Sequence, residues 1–119
     1  MYKNILLHLN DLDNSSVDIE ASVLVSIDGL VIAATLPHHV DSDDVGAICA
    51  SAFLLGKQTS EKCASGVLNQ VLIKCTKHQI VLIHVGAEAI LAVIIKPYAN
   101  LEPLFSSLQH SVRKITMII

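Results

Sequence analysis

The chain has 119 residues, 52% hydrophobic but only 3% aromatic, and eight basic against eleven acidic side chains give a net charge of −3. It is long enough to bury an aliphatic core without staples, and too poor in arginine, aromatics and basic runs to hold nucleic acid through phosphate contacts or base stacking. No run approaches the roughly 18 apolar residues of a membrane span, and His8 and Asn10 interrupt the first apolar run before it could serve as a leader, so a cytoplasmic chain beginning at Met1 is expected.

Tyr2, Ile5, Leu6, Leu9 and Leu12 recur at helical spacing, and Asn10 to Ser16 supply a polar stop, which predicts a first amphipathic helix. From Ala21 the period becomes two. Ala21, Val23, Val25 and Ile27 alternate with Ser22, Ser26 and Asp28, as in a strand with one wet face, Leu24 being the exception. Asp28-Gly29 then reads as a tight hairpin turn with both residues at positive φ, leading into a second strand, Leu30 to Ala34, that Pro37 ends.

Asp41 is placed to cap a central helix, with Asp43 and Asp44 near its positive end. Val45 to Gly56 carries no charge. Val45, Ile48, Cys49, Ala52, Phe53, Leu55 and Gly56 share one broad face that Thr59 and Cys63 continue, and the other face reads Ala47, Ala50, Leu54 before Lys57. A helix apolar nearly all round is buried on two sides, one against its own sheet and the other against a second copy of itself. Ser65 and Gly66 terminate it.

Val67, Val71, Ile73 and Cys75 predict a third, half-polar strand, Val67 to Thr76, with Gln70 and Lys74 on its other face. Thr76 to Gln79 form a polar turn. Ile80 to Val85 and Ala89 to Ile95 are nearly continuous apolar strands of the kind covered on both faces. Asn100 caps a last helix whose stripe is Leu101, Leu104, Phe105, Leu108, Val112 and Ile115, with Pro103 tolerated in the first turn. The order is α-β-β-α-β-β-β-α, an α+β class. One domain over residues 1–119 is expected, with a five-stranded antiparallel sheet and helices on both faces.

The residue pattern argues against intrinsic catalysis. There is no C-x-x-C, H-x-x-x-H or H-x-H spacing, no glycine-rich phosphate loop and no nucleophile elbow. His38 and His39 read as loop residues, His84 as a hydrogen-bonded strand residue and Cys49 and Cys63 as core thiols. Fourteen residues apart on one helix, those two thiols sit about 21 Å apart and cannot bridge. No metal, cofactor or catalytic residue is expected.

V-L-V-S-I-D-G-L-V-I-A (Val23 to Ala33), L-P-x-x-V-D (Leu36 to Asp41), V-L-I-K (Val71 to Lys74), and A-I-L-A-V-I (Ala89 to Ile94) with Asn100-Leu101 together resemble the roadblock/LC7 family. That family includes dynein light chains and MglB-type regulators of Ras-like GTPases. The resemblance implies a profilin-like layered sheet, a homodimer through the central helix and the edge strand after it, and an MglA-like small GTPase as partner. The interface expected on this basis comprises Ala47, Ala50, Ser51, Leu54, Lys57, Val67, Asn69, Val71 and Ile73. The function implied is a non-catalytic regulator or scaffold, GTPase-activating without an arginine finger, since Arg113 is the only arginine. A structural, dynein-light-chain-like adaptor would leave GTP turnover unchanged. A small-ligand sensor would instead carry a metabolite between sheet and helix.

Overall fold

The computed structural model describes residues 2–119, so the expected start at Met1 lies outside the described residues. The elements are α1 (Tyr2–Asn14), β1 (Ile19–Ser26), β2 (Val31–Ala34), α2 (Ser42–Lys62), β3 (Gln70–Lys74), β4 (Gln79–Val85), β5 (Ala89–Ile95), a 3-10 turn (Glu102–Leu104) and α3 (Phe105–Thr116). All neighbours in the sheet pair antiparallel in the order β2-β1-β5-β4-β3. The expected α+β architecture is the observed one, with β2 and β3 as the two edges.

α1 and α3 cover one face. Ile5, Leu9 and Leu12 from α1 and Leu104, Leu108 and Ile115 from the C-terminal helical segment pack on Leu24, Val81, Val85, Leu91 and Val93. α2 alone covers the other, with Cys49, Ala50 and Phe53 against Val23, Val25, Leu82, Ile90 and Ala92. β1 and β5 lie inside the sheet and are buried on both faces, which is why β5 is apolar throughout.

That burial corrects the reading of β1 as a strand with one wet face. Ser22 is fully buried, donates to Asp13 Oδ1 at 2.8 Å and shares a hydrogen-bonded bridge with Thr35 of the segment after β2. Its hydroxyl ties α1 to the sheet, so a polar residue is retained without an orphaned donor. Gln79 is likewise no turn residue. It is the first residue of β4, pairs with Ile95 of β5, is buried, and donates to the carbonyls of Lys96 and Ala99.

The β1–β2 turn also differs from expectation. Ser26 and Leu30 close a three-residue connection, in which Ser26 O accepts from Gly29 N and Gly29 alone has positive φ, at 92°. A three-residue loop needs one left-handed residue at its end, where a two-residue turn needs two.

The two ends of α2 are set differently. Asp41 Oδ1 accepts from Asp43 N and Asp44 N at 3.0 and 3.3 Å, as its capping role requires. At the other end Ser65 N bonds to Ser60 O and Ala64 N to Glu61 O, with Ala64 at φ 51°. This is a Schellman closure with alanine where glycine is favoured, one residue before the expected stop.

Candidate functional site

α2 decides which surfaces of the molecule stay open. Its sheet-facing side sets Phe53 among small residues. A Cβ on Gly46 would lie 2.7 Å from Val31 Cγ2, and one on Gly56 would lie 2.8 Å from Val71 Cγ2. The helix is therefore drawn close to β2 and β1 near its start and to β3 near its end, and Ile48, Leu54 and Leu55 turn outward. Ile48 and Leu55, expected on the core face, are 68% and 62% exposed, and Thr59 and Cys63 are exposed as well. Ala50, expected on the outer face, is 6% exposed and packs in the core.

The outermost seam is Asp44, Ile48, Ser51, Leu55, Gln58 and Lys62, all exposed and stepping alternately by four and three, the repeat of a helix that meets another helix. Sequence reasoning missed Ile48 and Leu55 because it assigned the bulkiest apolar groups to the core. The predicted interface residues otherwise divide. Ala47, Ser51, Leu54 and Lys57 are exposed on α2. Val67 and Asn69 are exposed in the irregular segment before β3, which begins only at Gln70 instead of Val67. Val71 is half-buried under α2, and Ile73 is 37% exposed. β3 pairs with β4 alone, so its outer edge is free. The opposite edge, β2, has four residues and is soon followed by Pro37, which cannot donate to a ladder.

Beside α2 lies a groove of about 590 Å³. Phe53, Leu54, Lys57, Ser60 and Glu61 of α2 form one side, Gly66 to Leu68 close an end, and His84, Gly86, Ala87, Ala89 and Ile90 form the other wall, with Ile27 above them. The His84 ring stands edge-on to Phe53 at 6.2 Å between centroids, and its Nδ1 lies 3.3 Å from Gly86 O.

Among the described residues no cluster of three His, Cys, Asp or Glu is placed to hold a metal. Cys49 is buried, which pushes its thiol pKa up and disfavours the thiolate; Cys63 and Cys75 are exposed, and all three are free. His38 and His39 are exposed in the loop before α2, and His78 meets Glu20 at 2.5 Å. Arg113 is exposed in the last turn of α3, on the helix layer opposite α2. No helix among the described residues is long and apolar enough to cross a membrane.

The roadblock/LC7 domain profile matches residues 5–95. The chain belongs to the roadblock/LC7 family. It is 32% identical over 115 residues to the uncharacterized protein MJ1340 of Methanocaldococcus jannaschii, covering 97% of this chain and 96% of that one. Among solved structures, Myxococcus xanthus MglB superposes with a TM-score of 0.88 at 14% identity, over 98% of this chain and 88% of that chain. The roadblock/LC7 domain from Streptomyces avermitilis gives 0.82 at 21% identity, over 92% of each. A LokiProfilin2 structure superposes at 0.69 with 17% identity over the full length of both chains, in keeping with profilin-like layering. Membership makes this a regulatory or adaptor domain.

Proposed function

We propose that the protein acts as a homodimer that regulates or scaffolds a Ras-like small GTPase without catalysing a reaction itself. The observation that carries the assembly is the exposed Ile48–Leu55 seam, which lies on the same helix that packs against the sheet and near the free edge of β3. In an antiparallel pair of α2 helices Ile48 of each copy meets Leu55 of the other. The acidic start, Asp41, Asp43 and Asp44, then lies beside the end that carries Lys62. Opposed macrodipoles and complementary charges favour that direction over the parallel one. Unpaired β3 edges add backbone hydrogen bonds where a side-chain seam alone is short.

The choice of a GTPase as partner is supported by the likeness to MglB and by the absence of catalytic motifs. Stimulation would come from favouring a GTPase state whose own residues are correctly placed. An inserted arginine is worth about 10³ to 10⁵ in rate, and Arg113 is on the wrong helix layer to be one. The test is GTP hydrolysis and nucleotide exchange by a Ras-like GTPase of the source organism that binds this protein. Wild type and Arg113→Ala are expected to change turnover equally, and the seam variant Leu55→Asp is expected to have no effect on turnover. Binding with no change in either rate would make the protein an adaptor, and a loss of about a thousandfold in Arg113→Ala with binding retained would make Arg113 a finger.

A further inference from the structure

The groove beside α2 lies on the flank of the helix next to the seam. Leu54, Lys57 and Glu61 line it from the flank of the helix, whereas Ile48 and Leu55 do not border it. Its volume is that of a small-molecule site, and its lining is mostly apolar, with the edges of Phe53, Leu68 and Ile90 at its floor. Small residues leave its rim open, with Gly66 facing open space and Ala87 exposed.

Two opposite charges stand on its helical side. Lys57 and Glu61 are one helical turn apart, a spacing that places their Cβ atoms about 5–6 Å from each other. Both are exposed, and neither is in an ion pair among the described residues. A fatty carboxylate or a phosphate would be attracted by Lys57 and repelled by Glu61, and a simple amine would meet the reverse. A zwitterion satisfies both. Its carboxylate takes the ammonium of Lys57 and its ammonium takes the carboxylate of Glu61, each as a charge-assisted hydrogen bond. An apolar side chain then lies over Phe53 and against the edge-on His84 ring.

We infer that this groove binds a free α-amino acid with a large apolar or aromatic side chain, its two charged ends held between Lys57 and Glu61. Leu54, Lys57 and Val67 belong both to this lining and to the expected interface, so the titration is run on wild type and on Leu55→Asp: binding by a monomeric variant separates the site from the assembly.

The experiment is calorimetric titration of the full chain with L-phenylalanine, N-acetyl-L-phenylalanine, L-phenylalaninamide and glycine. The free amino acid is expected to bind. The acetylated form lacks the ammonium, the amide lacks the carboxylate and glycine lacks the side chain, so each should bind about tenfold or more weakly. Lys57→Ala should erase the preference over the amide, and Glu61→Ala the preference over the acetylated form. These two side chains are exposed, and circular dichroism checks that the helix is retained. Ala87→Trp, which fills the groove from an exposed position, should abolish binding. No binding at about 10 mM ligand, a weaker range than specific sites occupy, would overturn the proposal. So would equal binding of the blocked forms, or binding indifferent to all three variants.

Discussion

On one face of the sheet α1 and α3 lie side by side and leave Ile5, Leu9, Leu108 and Ile115 with no measurable exposure. On the other, α2 crosses alone, leaving Ile80 and Ile94 only half-buried and its own Ile48 and Leu55 in solvent. The first face has the coverage of a finished core. The second buries Phe53 and small residues but turns Ile48 and Leu55 outward, the arrangement of an element that meets something else. Stability and interaction are thus assigned to opposite sides of the same five strands, and substitutions on the two sides should behave differently.

The largest effect is expected on the closed face. Leu9→Ala removes a fully buried side chain among α1, α3 and the sheet and should cost about 2–5 kcal/mol in chemical denaturation. Ile48→Ala, an equally apolar truncation at a 68% exposed site, should cost within about 0.5 kcal/mol at concentrations too low for association. Comparable losses at the two sites would erase the distinction.

Gly56→Ala probes how tightly the open face is still joined to the sheet. Alanine gains about 1 kcal/mol in helix propensity, but its Cβ would sit 2.8 Å from Val71 Cγ2 on a stiff, β-branched neighbour. A net loss of about 1–3 kcal/mol is expected. A gain in melting temperature would show that α2 can slide on β3 at no cost.

The smallest effect concerns the polar link under α1. Burial raises the Asp13 pKa above 3.8, and hydrogen bonds from Thr35 and Ser22 oppose that shift without cancelling it. The folded protein therefore holds this proton more tightly than the unfolded chain. The resulting contribution is fully present below pH 3.8 and is lost as pH rises through the folded value, so the ionised carboxyl is a liability near neutrality. The stability of Asp13→Asn relative to wild type should rise between about pH 3.5 and 7. A difference that falls over that interval would mean the carboxylate is the favoured form.

The element order, the edge position of β3, the Asp41 cap and the division of helices between faces were all legible in the sequence, because each rests on periodicity or a local signal. What periodicity could not resolve was orientation on a helix apolar nearly all round. A wheel ranks residues by hydrophobicity and sends Ile48 and Leu55 inward beside Phe53 and Gly56; close approach to the sheet keeps the last two but demands Gly46 and Ala50 in place of the first two, and that demand is tertiary. Ser22 and Gln79 were misplaced for a related reason. Both read as polar and wet, yet each has a buried partner supplied by a segment distant in the chain. The groove was invisible beforehand because it joins the flank of α2 to the β4–β5 turn, which no local pattern connects.

The most direct test of the central claim, that the open face of α2 is a self-association surface, is the mass in solution of wild type and Leu55→Asp by light scattering at tens of micromolar. Wild type is expected at twice the 12.8 kDa chain mass. Leu55→Asp is expected at the chain mass, with native circular dichroism and cooperative unfolding. A monomeric wild type, or a Leu55→Asp variant that remains dimeric, would contradict the account.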